Sequence, residues 1–373
     1  MKMLRPRMYR LPTTRATAPI GAVATIVLLH VAGWGLLFAI IGTTPIHTAT
    51  SGPGGLAFSV GLGLTAYLLG VRHAFDADHI AAIDNTTRKL LQEGRQPETV
   101  GFWFASGHST VVLLLTLLLA FGVRALAAPV LDDGSTLHRV TSLIGTLVSG
   151  GFLYAIAILN LVVLVELWRA GQGLSSGAPD EAEIERRLTR RGLFSRLIGR
   201  VAGVVHRPRH MYAVGLLFGL GFDTATEVAL LVLATSGAAG GLPWYAILCL
   251  PILFAAGMSL FDTAQGVFMT AAYGWASAHP LRRLHYNLAI TGLSVIVALL
   301  IGSVEITGLV GERFALHGGA WDVVEALDMN AVGFGIAGLF VTFWLVAALM
   351  WASGTSRTHR WRNASRPSNV EAE

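Results

Sequence analysis

Apolar runs close to 20 residues long recur along the whole sequence, and no other feature restricts the fold as much. Eight are counted, at about 20–42, 57–82, 100–122, 140–166, 211–236, 245–273, 286–308 and 330–352. A helix rises about 1.5 Å per residue and a bilayer's hydrocarbon core is about 30 Å thick, so each run is long enough to cross. The runs are continuous rather than alternating, which predicts membrane helices and not barrel strands. Charged residues make up only 13% of the chain, against about 25% in an ordinary soluble domain. The expected fold is therefore an all-α polytopic membrane protein with eight transmembrane helices.

Orientation follows from where the basic residues fall. Lys2, Arg5, Arg7, Arg10 and Arg15 precede the first run; Arg88, Lys89 and Arg95 follow the second; nine arginines lie between Arg169 and Arg209. Arg282 and Arg283, then Arg357, Arg360, Arg362 and Arg366, continue the series, whereas Arg124, Arg139 and Arg313 fall on the other side. Positive charge collects on the cytoplasmic side of membrane proteins, so both termini are expected in the cytoplasm. The net charge of +5 is thus a topology signal and no sign of a nucleic-acid partner.

The expected organisation is a basic tail at 1–19, helices 1–4 within 20–166, a cytoplasmic loop at 167–210, helices 5–8 within 211–352 and a tail at 353–373. The first run exceeds a signal-peptide core of about 7–15 residues and reads as a retained helix. Residues 304–328, with Glu305, Glu312, Asp322, Glu325 and Asp328, read as an acidic external loop. The single cysteine, Cys249, excludes an intrachain disulfide or a thiolate cluster and reads as a packing residue. A short echo, Phe222-Asp223-Thr224-Ala225 against Phe261-Asp262-Thr263-Ala264, is too brief to establish a duplication.

Chemistry concentrates in Arg72-His73-Ala74-Phe75-Asp76-Ala77-Asp78-His79, two imidazoles and two carboxylates inside an apolar run. Ionisable groups at membrane depth are costly and mark functional sites, and imidazole with carboxylate suits first-row divalent metals. On a straight helix His73 and Asp76 share a face, as do Asp76 and His79, but Asp78 points elsewhere. Three readings remain open: the helix breaks here, Asp78 orients a histidine, or Asp78 pairs with Arg72. Other runs supply His108, Asp223, Glu227, Asp262, Gln265, Asn287, Thr291 and His30. Counted from the outer end of each run, most of these fall roughly 15–30 Å deep, at overlapping levels. His30 reads as an interhelical hydrogen bond. The candidate metal ligands are His73, Asp76, Asp78, His79, His108, Asp223, Glu227 and Asp262.

The segment His73-x4-Asp78-His79 resembles the signature of the nickel/cobalt transporter (NiCoT) family. Gly107-His108-Ser109-Thr110-Val111-Val112, Leu220-Gly221-Phe222-Asp223-Thr224-Ala225-Thr226-Glu227-Val228, and Gly257-Met258-Ser259-Leu260-Phe261-Asp262-Thr263 resemble its other motifs. Tyr286-Asn287, Thr291 and Ser294-Val295 also fit. The resemblance covers the second to seventh runs in order. It implies an eight-span, single-polypeptide permease for selective uptake of Ni²⁺ and/or Co²⁺ across the cytoplasmic membrane. The ion would be cargo, with no resident cofactor and no ATPase subunit, and indeed the chain has no Walker A loop. One position departs from the family: Gln265 stands where a second aspartate is usual.

Two other classes stay open. One is an efflux exporter or metal sensor of related fold. A membrane metalloenzyme would need several histidine-rich boxes or a His-Glu-x-x-His helix, and the chain has neither.

Overall fold

The computed structural model describes residues 20–43, 59–120, 135–172, 205–220, 225–239, 243–276, 280–329 and most of 331–349. The tails at 1–19 and 353–373, most of the 167–210 loop and Asp223 lie outside the described residues. Among the described residues every regular element is helical. In order these are α1 (Ile20–Thr43), α2 (Val60–His73), α3 (Ala77–Gln92), α4 (Val100–Ala120), α5 (Thr136–Gln172) and α6 (Met211–Phe218). Then come α7 (Ala225–Ala239), α8 (Trp244–Ile247), α9 (Cys249–Ala276), α10 (Pro280–Phe314), α11 (Ala320–Glu325) and α12 (Ala331–Phe343).

Among the described residues five helical stretches are long and apolar enough to cross a membrane: Ile20–Gly42, Val100–Leu118, Ser142–Val162, Trp244–Tyr273 and Leu288–Phe314. Two expected spans differ from a single long helix: the run at 57–82 is divided between α2 and α3, and the run at 211–236 between α6 and α7. In the last run α12 is described to Phe343, and Leu345, Val346 and Leu349 are helical as well. The expected loop at 304–328 is partly helical, because α10 continues to Phe314 along α5. There Ser149 Oγ donates to Glu305 Oε1 at 3.0 Å and Tyr154 Oη lies 2.8 Å from Ser303 Oγ.

The division of the second run has a local cause. Asp76 takes an extended conformation (φ −63°, ψ 143°) and is the N-cap of α3, a position that favours aspartate. Its carboxylate makes no cap hydrogen bond and turns back to His73 instead. Asp78, in the first turn of α3, accepts from the backbone N–H of His79 at 2.8 Å and takes over a donor that the missing turn leaves bare. The break thus leaves the C-terminal end of α2 and the acidic first turn of α3 facing the same space.

α9 is the axis of the bundle, packed against α1, α2, α3 and α4; α5 lies along α10, and α4 along α6. Glycine allows the last contact: a Cβ on Gly107 would strike the Tyr212 carbonyl, and one on Gly215 the Phe104 carbonyl. α3 carries Asp84, Asn85, Thr86, Thr87 and Arg88, yet from Ala77 to Leu90 it is buried apart from partly exposed Asp78 and Lys89. A polar helix wrapped by apolar ones is the inverse of a lipid-facing element. Its far end is pinned to the chain before α6, Lys89 Nζ donating to the Val205 carbonyl and Arg95 to that of His206.

Candidate metal site

The break between α2 and α3 puts His73 and His79 on one side of a small buried space, and α4 adds His108. The three rings stack edge-on or tilted, with centroids 4.5 Å (His73–His79), 4.6 Å (His73–His108) and 4.9 Å (His79–His108) apart. One ligand nitrogen from each lies within 4.8 Å of the others. Metal–nitrogen bonds of about 2.1 Å allow at most about 4.2 Å between two donors of one ion, so a contraction of about 0.6 Å would seat a cation.

Carboxylates surround the rings. Asp76 Oδ2 is 3.0 Å from His73 Nδ1, Glu227 Oε1 is 2.6 Å from His108 Nε2 and 4.0 Å from His73 Nε2, and Asp262 Oδ2 is 3.5 Å from His79 Nδ1. All six residues are buried, none more than 3% exposed. Several polar atoms here have no hydrogen-bond partner among the described residues: His79 Nδ1, His108 Nδ1, Glu227 Oε2 and both oxygens of Asp262. A buried polar atom left unpaired is costly and needs an explanation. A divalent cation supplies one, since it satisfies nitrogen and oxygen lone pairs together and offsets the negative charge.

Partner atoms also assign the protons. A carboxylate only accepts, so His108 carries its proton on Nε2 and donates to Glu227. His73 Nε2, 2.9 Å from the same nitrogen, is then the acceptor, and its Nδ1–H faces Thr226 Oγ1 at 2.8 Å and Asp76. His73 thus presents a lone pair to the centre, and His108 in this tautomer keeps its lone pair on Nδ1, its Nε2 being open to an ion only after loss of the proton.

Of the expected ligands, His73, Asp76, His79, His108, Glu227 and Asp262 come together. Asp78 is spent on the α3 backbone, and Asp223 lies outside the described residues. Arg72 is on the exposed side, 3.9 Å from Asp328. His30 bonds the Ile26 carbonyl and lies 3.4 Å from Tyr67 Oη, the interhelical contact expected of it. Gln265 donates Nε2–H to the Ile80 carbonyl at 3.2 Å, which ties α9 to the first turn of α3. Thr226 was not anticipated; its only sequence signal is its place next to Glu227.

The sequence profile described as high-affinity nickel-transport protein (NicO) matches residues 59–350. The chain belongs to this family. It is 54% identical over 341 residues to the nickel transporter NicT of Mycobacterium tuberculosis, covering 91% of this chain and 90% of that one. To the cobalt transport protein NhlF of Rhodococcus rhodochrous it is 45% identical, covering 88% and 90%. To the high-affinity nickel-transport protein NixA of Helicobacter pylori it is 42% identical, covering 87% and 94%. No solved structure matches the chain.

Proposed function

We propose that this protein is a secondary transporter that takes up Ni²⁺ and/or Co²⁺ across the cytoplasmic membrane, with His73, His79 and His108 as the nitrogen ligands. Asp76, Glu227, Asp262 and Asp223 offset the charge or relay the ion. The observation that carries this reading is the convergence of three imidazoles and three carboxylates, from five helices, on one buried space in a chain of the nickel-transport family. The names of the relatives, nickel transporters and a cobalt transport protein, support the cargo. A donor set rich in imidazole favours late first-row ions over Mg²⁺.

The chain crosses the membrane eight times in this reading, five times as long helices and three times through the α2/α3 and α6/α7 pairs and α12. Broken helices at a buried ion site are a transporter device: the negative end of α2's dipole faces the cation, and Asp76 and Asp78 offset the positive end of α3. Both termini are cytoplasmic. Two charges moved through 100 mV gain about 4.6 kcal/mol, which sustains a gradient on the order of a thousandfold without ATP.

Accumulation of ⁶³Ni or ⁵⁷Co in cells expressing the protein tests the function and its direction. A permease raises cell-associated metal above the vector background, whereas an exporter lowers it. His73→Ala, His79→Ala and His108→Ala are each expected to return accumulation to background; wild-type uptake by all three would refute the ligand assignment.

A further inference from the structure

α3 has two chemically different faces. Successive residues turn about 100° around a helix, so Asp84 lies about 140° and Arg88 about 180° from His79. His79 looks toward the imidazole cluster on α2 and α4. On the opposite side Asp84, fully buried, accepts from Tyr273 Oη of α9 at 2.5 Å and from Ser294 Oγ of α10 at 2.7 Å. Asn85 is fully buried as well. Its Oδ1 accepts from Asn160 Nδ2 of α5 at 2.6 Å and from Arg88 Nη2 at 2.9 Å, and its Nδ2 donates to the Ala81 carbonyl at 2.7 Å. One polar node therefore joins α3 to three helices, α5, α9 and α10.

The node is only partly satisfied. Arg88 is 2% exposed, and its Nε and Nη1 have no hydrogen-bond partner among the described residues. The hydroxyl oxygens of Thr86, Thr87 and Thr291 are in the same position. A buried cation with spare donors is a poor way to lock a fold, since a complete network or an apolar one is more stable. It suits an element that must hold one arrangement and then exchange its partners for another.

We propose that Asp84, Asn85 and Arg88 form an internal latch on the back of α3. It sets the orientation of the helix that carries His79, so that release of the ion, rather than its capture, depends on it. These are positioning residues, and the proposal rests on the assignment of the metal to His73, His79 and His108.

The test compares equilibrium binding of ⁶³Ni to purified, detergent-solubilised protein with the initial uptake rate in cells. Asp84→Asn is expected to leave the binding constant within about threefold of wild type while uptake falls at least about tenfold. Ser294→Ala and Tyr273→Phe, which keep both charges, should show the same split to a lesser degree. Weakened binding in a folded D84N protein would make Asp84 a ligand and overturn the latch, as would unchanged uptake. Should D84N not fold, S294A and Y273F decide: parallel loss of binding and uptake, or loss of neither, refutes it. His73→Ala separates the two readings. If it still binds ⁶³Ni like wild type, the site assignment has failed, whatever D84N shows.

Discussion

At the scale of single residues the site is a set of lone pairs in search of one cation. His73 already points a lone pair at the centre, and the neutral His108 that donates Nε2–H to Glu227 keeps one on Nδ1, so protons and the ion compete for the same imidazole nitrogens. The sign is fixed by this. Falling pH fills imidazole lone pairs with protons, and metal affinity drops. On acidification the KM for Ni²⁺ uptake is expected to rise, with the maximal rate less affected; ⁶³Ni uptake across buffered pH checks this, and a KM that falls on acidification would contradict it. Gln265 is tied to the Ile80 carbonyl. Gln265→Ala should therefore cost about 1 kcal/mol of stability, seen as a lower melting temperature in detergent, with metal affinity nearly unchanged.

At the scale of elements, close backbone approach and one broken helix decide what reaches the centre. α4 delivers His108 only because Gly107 and Gly215 let α4 and α6 meet carbonyl to Cα, with no flexible side chain to give way. Gly107→Val is expected to destabilise the bundle by about 1–3 kcal/mol or to prevent its assembly, measured as folded yield in size-exclusion chromatography. The same logic holds at the break, where Gly333 of α12 lies on the Phe75 carbonyl and Phe334 stacks on Phe75 with centroids 4.7 Å apart. The periodicity of the sequence left three readings of Asp78 open. The structure shows the break, and in the first turn of α3 Asp78 Oδ1 accepts from the otherwise bare backbone N–H of His79.

For the whole molecule, orientation and energetics belong together. A wild-type chain whose lone cysteine, Cys249, is fully buried should be unreactive to a membrane-impermeant maleimide. In that background Ser135→Cys is expected to label from outside, and Ser175→Cys only in inverted vesicles; the reverse pattern would invert the proposed topology. Collapsing the membrane potential should lower the steady-state ⁶³Ni ratio by one to three orders of magnitude, in line with about 2.3 kcal/mol per charge per 100 mV.

Apolar length was enough to read a helical membrane protein, and short motifs were enough to read membership of the nickel-transport family, because span length and motif spacing are properties of short stretches of chain. Which donors converge was beyond them. His73 and Glu227 are 154 positions apart, so their approach to 4.0 Å depends on how six or more helices pack. The polar back of α3 escaped notice for the same reason. Arg88 follows the second apolar run and was expected among the cytoplasmic basic residues, whereas the fold buries it with Asp84 and Asn85 against α5, α9 and α10.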